Sequence, residues 1–254
     1  MMLYSETVGS AAGKPLVLLH GWGMHSGIWQ TLLPYLQQDY SITLIDLPGS
    51  GRSAGCQLQP YNLDAVVSQL VEVVPASALW LGWSLGGVIA MAFAQRFPER
   101  VNGLMTLASS PCFVERPDWS FGMDETTYSQ FEQDLAANPA KTLQRFNMLQ
   151  VQGSATARSD LKTLKQILSE VQPTAQALID SLALLRGDYR QLFSNTCLPT
   201  THLLCQLDTL APASMYDALK ALQPEAQVEV LAEQSHVGFL SAPQTLAAKI
   251  RTFT

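Results

Sequence analysis

Long apolar runs are missing from this chain. No stretch approaches the ~18 residues needed to cross a bilayer, so no membrane span is expected. The N-terminal segment Met1 to Ala12 has neither a basic start nor an apolar core, so no secretory signal is expected and the cytoplasm is the expected compartment. Basic charge is scarce: 15 Lys and Arg against 21 Asp and Glu give a net charge of −6, which argues against nucleic-acid binding. Only four cysteines occur (Cys56, Cys112, Cys197, Cys205), at no metal-ligand spacing, and they read as reduced thiols. The glycines of Gly49-Ser50-Gly51 do not follow dinucleotide-binding spacing, and no phosphate loop is present. No cofactor and no metal are therefore expected. Internal repeats and low-complexity segments are also absent.

What the chain does have is apolar mass. With 254 residues, of which 47% are hydrophobic, it can bury a full core as one domain with an inserted subdomain. Short apolar runs at Leu16–Leu19, Ile42–Ile45, Ala78–Leu81, Gly103–Ala108, Thr201–Cys205 and Gln227–Leu231 predict buried strands. Helical patterns separate most of them, over Ile28–Leu36, Leu63–Val74, Leu85–Phe97, Ala213–Leu222 and Pro243–Thr252. That alternation predicts an α/β fold with a mostly parallel sheet and helices on both faces. Leu3–Thr7 predicts an antiparallel edge hairpin. The rhythm breaks from 114 to 192, where only helical patterns occur, separated by Asn138-Pro139, Gly153-Ser154 and Gln172-Pro173. This predicts a helical cap over the sheet's C-terminal edge, where ligands bind in such sheets. The core is then 1–113 plus 193–254.

Chemistry concentrates at Gly82-Trp83-Ser84-Leu85-Gly86, between a predicted strand and a predicted helix. Glycines two residues either side of a serine in that setting predict a tight elbow that lifts the hydroxyl above the sheet edge. A serine nucleophile needs a base, oriented by a carboxylate. Of the four histidines, His202 lies inside an apolar run and reads as a packed core residue, while His20 and His25 belong to the loop after the first parallel strand. His236 follows the last strand, and Asp208 follows the strand before it. Taken singly, Asp208 reads equally as a turn or cap residue and His236 as a surface histidine. Together, in the order Ser84, Asp208, His236, they predict a catalytic triad. Asp46, the rival acid, precedes the serine and reads as a turn residue. Backbone N–H groups of Leu85 and of Trp22, in His20-Gly21-Trp22-Gly23, are the expected oxyanion donors. Trp83 and Phe146 are candidate lining residues for an acyl chain, or plain core aromatics.

Across nearly its whole length the sequence resembles the pimeloyl-[acyl-carrier protein] methyl ester esterases of biotin synthesis, members of the α/β-hydrolase superfamily. The general signals are His20-Gly21-Trp22-Gly23, Asp46-Leu47-Pro48-Gly49, Gly82 to Gly87 and His236. More specific are Ala108-Ser109-Ser110-Pro111-Cys112-Phe113 and, in the cap, Arg145-Phe146 and Thr156-Ala157-Arg158. The resemblance implies Ser84 as nucleophile, His236 as base, Asp208 as orienting acid, and Trp22 and Leu85 as oxyanion donors. It also implies an acyl carrier protein as partner, engaged by basic cap residues at Lys141, Arg145, Arg158 and Lys162. Between Lys141 and Lys165 five basic residues face a single acid, Asp160, in a chain that is acidic overall. Lys141 and Arg145, and likewise Arg158 and Lys162, share a helix face at a spacing of four. A solvated amphipathic face is the ordinary explanation for such charge. Two departures bear on pocket shape, Thr209 where the family leads one to expect glycine, and Val237-Gly238 in place of an Ala-Pro pair. A monomer is the expected state. A general short-chain esterase or carbon–carbon bond hydrolase on the same scaffold stays open, as does a non-catalytic hydrolase-like receptor.

Overall fold

Seven strands and ten helices make up the computed structural model, which describes residues 2–253; the chain ends Met1 and Thr254 lie outside the described residues. In chain order the elements are β1 (Ser5–Gly9), β2 (Lys14–Leu19), α1 (Leu33–Leu36), β3 (Tyr40–Ile45), α2 (Leu63–Leu70), β4 (Ala78–Trp83), α3 (Leu85–Arg96) and β5 (Val101–Leu107). There follow α4 (Glu125–Ala137), α5 (Pro139–Gln150), α6 (Ala157–Glu170), α7 (Ala175–Leu185) and α8 (Arg190–Ser194). The chain closes with β6 (Thr200–Cys205), α9 (Tyr216–Leu222), β7 (Gln227–Leu231) and α10 (Pro243–Thr252).

The sheet order is β1-β3-β2-β4-β5-β6-β7, antiparallel only between β1 and β3. The N-terminal strand therefore pairs with β3 and forms no hairpin with β2, because β2 is already flanked by β3 and β4. The central strands are buried on both faces, as a parallel sheet under helices requires, whereas the edge strand β1 is largely exposed and β7 alternates. Alternation along β2 shows the division: Val17 and Leu19 join one core cluster and Leu16 and Leu18 the other. The order reverses at β2, with β3 on one side and β4 on the other. Above that switch point lies the crevice where α/β sheets hold ligands.

The helices begin where the local chemistry directs. Asn138 caps α5 by accepting from the Lys141 N–H, with Pro139 at the first helical position, where its missing N–H costs nothing. Asp124 caps α4 and Thr174 caps α7 in the same way. The segment expected as one helix over Ile28–Leu36 splits into a 3₁₀ turn at Ser26–Trp29 and the single turn of α1, with Pro34 opening the latter. Helix α2 stops at Leu70, short of the β-branched residues Val71, Val73 and Val74. Helices α4 to α8 all lie between β5 and β6, and α8 runs across position 192. Among the described residues no helix is long and apolar enough to cross a membrane.

Candidate active site

The elbow between β4 and α3 holds Ser84 at φ 55° and ψ −122°, a conformation side-chain-bearing residues rarely adopt. Glycines make it sterically possible. A Cβ on Gly82 would sit 2.2 Å from the Gly86 carbonyl oxygen, and one on Gly86 would sit 2.5 Å from that of Leu19. The turn is anchored from below: Ser84 N–H donates to the Leu107 carbonyl at 2.9 Å, and the Ser109 hydroxyl donates to the Ser84 carbonyl at 2.8 Å. Ser109 is buried, and sequence reasoning missed its part; its place just past the end of β5, beside the elbow, was the available signal.

Asp208 and His236 meet from adjacent loops. Parallel pairing of Cys205 with Leu231 brings the ends of β6 and β7 level, so the loops that follow them converge. His236 Nδ1 lies 2.7 Å from Asp208 Oδ2, both side chains being buried. The other carboxylate oxygen accepts from the Leu210 and Ala211 N–H groups at 2.8 and 3.1 Å, which fixes the acid's orientation. With Nδ1 turned to the carboxylate, the opposite ring nitrogen Nε2 is buried and has no partner among the described residues. That is the arrangement of an imidazole held in one tautomer with its reactive nitrogen uncommitted.

Leu85 is the first residue of α3, where a backbone N–H has no acceptor within the helix. The Gly21-Trp22 loop faces it across the elbow; a Cβ on Gly21 would sit 3.0 Å from the Ser84 Cβ. The Trp22 side chain turns upward, donating its indole N–H to the Leu178 carbonyl at 3.0 Å and packing edge-on against Phe146 at 4.9 Å. Beside Ser84 opens an apolar chamber walled by residues that include Phe113, Phe131, Phe146 and Leu182. Phe146 thus forms part of the chamber wall. Trp83 does not. It is fully buried on the far side of the elbow, where its indole N–H donates to the His236 carbonyl at 2.9 Å and its ring lies 5.4 Å from the imidazole.

The remaining candidates are structural. His20 Nε2 accepts from the Leu47 N–H at 2.9 Å, and burial lowers its pKa to about 4. His202 is wedged between Thr106 and Gln223, and burial likewise lowers it to about 4. Burial would raise the Asp46 carboxyl, but His20, Ser26 and Arg52 outweigh it and hold it at about 2. Asp46 is bound to the Ser26 and Arg52 N–H groups at 2.8 Å each, and serves as the turn clip expected of it. Cys112 is a buried thiol 3.2 Å from Asp188, its pKa pushed up to about 12 by burial and by that carboxylate. Among the described residues no three His, Cys, Asp or Glu side chains gather to hold a metal ion.

Lys141, Arg145, Arg158 and Lys162 are all exposed on α5 and α6. Arg145 is engaged by Asp134 of α4 at 2.6 Å; the other three make no ion pair among the described residues. Asp160, the lone acid of this segment, is turned inward, bonded to Thr156 at 2.7 Å and to Ser241. The outward charge of these two helices is therefore more positive than their sequence.

A family model described as the alpha/beta hydrolase fold matches residues 14–243. A pimeloyl-[acyl-carrier protein] methyl ester esterase of Klebsiella pneumoniae is 40% identical over 243 residues, covering 95% of this chain and 93% of the relative. One of the same name from Aliivibrio fischeri is 38% identical over 253 residues, covering 99% and 96%. Among solved structures, an esterase from Exiguobacterium antarcticum superposes with a TM-score of 0.88 at 21% identity, covering 99% of this chain and 94% of that one. The enol-lactonase of Burkholderia xenovorans superposes at 0.83 with 15% identity, covering 99% and 95%. These last two likenesses concern the fold alone.

Proposed function

The chain belongs to the α/β-hydrolase family and, within it, to the pimeloyl-[acyl-carrier protein] methyl ester esterases, and we propose that Ser84, His236 and Asp208 carry out this hydrolysis in biotin synthesis, releasing methanol and the carrier-bound acid. The observation that carries the assignment of residues is the buried 2.7 Å contact between His236 Nδ1 and Asp208, which leaves Nε2 uncommitted on the sheet edge that presents Ser84.

Ser84 Oγ attacks the ester carbonyl while His236 Nε2 takes its proton. Asp208 stabilises the imidazolium, and the Trp22 and Leu85 N–H groups receive the oxyanion. The tetrahedral intermediate collapses, the ester C–O bond breaks, and His236 gives the proton to the departing methoxide, which leaves as methanol. Water then attacks the acyl-enzyme with His236 again as base, freeing the carboxylate and Ser84. The acyl chain occupies the chamber against Phe146. The carrier, an acidic partner, docks in the cytoplasm on the basic outer faces of α5 and α6 of a monomeric enzyme, steered by opposite charge.

Ser84→Ala tests the chemistry: turnover of the carrier-bound methyl ester falls by about 10⁴-fold or more while the fold persists. Unchanged turnover would remove Ser84 from the mechanism. Docking is tested by Arg145→Glu with Arg158→Glu. The pair lowers kcat/KM on the carrier-bound ester at least about tenfold more than on a free diester, a contrast that steepens at low salt. Equal losses on both substrates would exclude docking at these helices.

A further inference from the structure

The walls of the chamber beside Ser84 are, besides that serine, phenylalanine, leucine and methionine side chains and a single tyrosine. Apart from Ser84, the Tyr128 hydroxyl is the one polar side-chain group these walls carry among the described residues, and it already donates to the Leu182 carbonyl at 2.8 Å. Burial raises the pKa of that phenol, so it stays neutral. Behind the Tyr128 ring, 4.8 Å from its centroid, lies Arg186, but this cation is claimed by Glu125 at 3.0 Å and Glu132 at 2.8 Å. The cap cations Lys141, Arg145, Arg158 and Lys162 are exposed on the outside of the helices. Away from Ser84 and the Trp22 and Leu85 N–H groups beside it, no side chain on the chamber wall among the described residues can pair with an anion.

We infer that this chamber excludes charge, so that the enzyme hydrolyses esters whose far end is masked and rejects the half-ester of a dicarboxylic acid whose second carboxylate is free. An ionised carboxylate drawn into such walls loses its hydration and gains no partner, whereas methylene groups gain by leaving water. The inference rests on reading Ser84 as the esterase nucleophile, and it specifies which esters reach it. A far carboxyl joined to a carrier is uncharged and passes. The substrate must therefore come from a reaction that has already esterified or thioesterified both ends of the diacid. The same walls disfavour the carboxylate product once it forms, which speeds its departure.

The test compares purified enzyme on dimethyl glutarate and monomethyl glutarate, a pair that keeps the far carboxyl three methylene groups from the reacting ester. At pH 7.5 the half-ester shows a kcat/KM at least about 100-fold below that of the diester, well beyond the twofold allowance for two ester groups. Phe131→Arg, which places a cation on a partly buried wall position, raises half-ester turnover and narrows the ratio to under about tenfold, while Phe131→Gln leaves the ratio wide. Ratios within about threefold of unity for the unaltered enzyme would overturn the inference, whether or not Phe131→Arg folds. No turnover of the diester, alongside none of the carrier-bound ester, would instead strike the esterase reading itself.

Discussion

Trp83 sits next to Ser84 in sequence and beneath His236 in space. Its indole N–H holds the His236 carbonyl at 2.9 Å, and its ring packs so close under the Gly21-Trp22 loop that a Cβ on Gly21 would come within 3.1 Å of it. It is a positioning residue for two loops at once. Trp83→Phe keeps an aromatic ring but deletes the donor, and is expected to lower kcat roughly 10- to 100-fold with KM little changed. The loss should be the same for acetyl and longer acyl esters in a steady-state series. A rise in KM that grows with acyl length would mean instead that the indole touches the chain. The residue pattern around Ser84 was legible because strain of this kind admits few sequences. The direction in which Trp83 points was not, since a tryptophan beside an elbow serves either face.

At the scale of elements, α3 approaches both β4 and the end of β2 more closely than side chains permit, and the sequence answers with glycine at each crossing. Gly86→Ala would drive its methyl into the Leu19 carbonyl, 2.5 Å away, and Gly82→Ala into Gly86. Either is expected to cost about 3 kcal/mol or more, read as a fall in Tm and in soluble yield. On the cap, Arg145 is compensated by Asp134 at 2.6 Å, whereas Arg158 makes no ion pair among the described residues. Singly, therefore, Arg158→Glu should weaken carrier-dependent turnover more than Arg145→Glu, and Asp134→Asn should strengthen it; both follow from initial rates at low ionic strength. The helix breaks within the cap could be read from Asn138-Pro139 because cap and first-turn chemistry are local. That Asp160 would turn inward to Ser241 could not, because its partner lies 81 residues away.

For the molecule as a whole, two buried imidazoles tie stability to pH. His20 and His202 each have a folded-state pKa of about 4 against an unfolded value near 6.5, so the unfolded chain binds more protons in between. Their contribution is fully present above about pH 6.5 and is lost as pH falls toward 4, on the order of a few kcal/mol for each histidine. Thermal melts from pH 7 to pH 5 should show Tm dropping steeply, and His202→Gln should flatten that slope; a flat profile in the unaltered protein would refute the account. By itself the sequence determined the strand-helix alternation, the parallel sheet, the elbow and the order Ser84, Asp208, His236, because these follow from periodicity, glycine placement and chain direction, which act over a few residues. Only the tertiary structure decided that Phe113, Phe131, Phe146 and Leu182 enclose one chamber and that Trp83 lies outside it. In the sequence these are all apolar residues with the same claim to a core. Which of them face a cavity depends on how helices far apart in the chain are set against the sheet, and no local pattern records that.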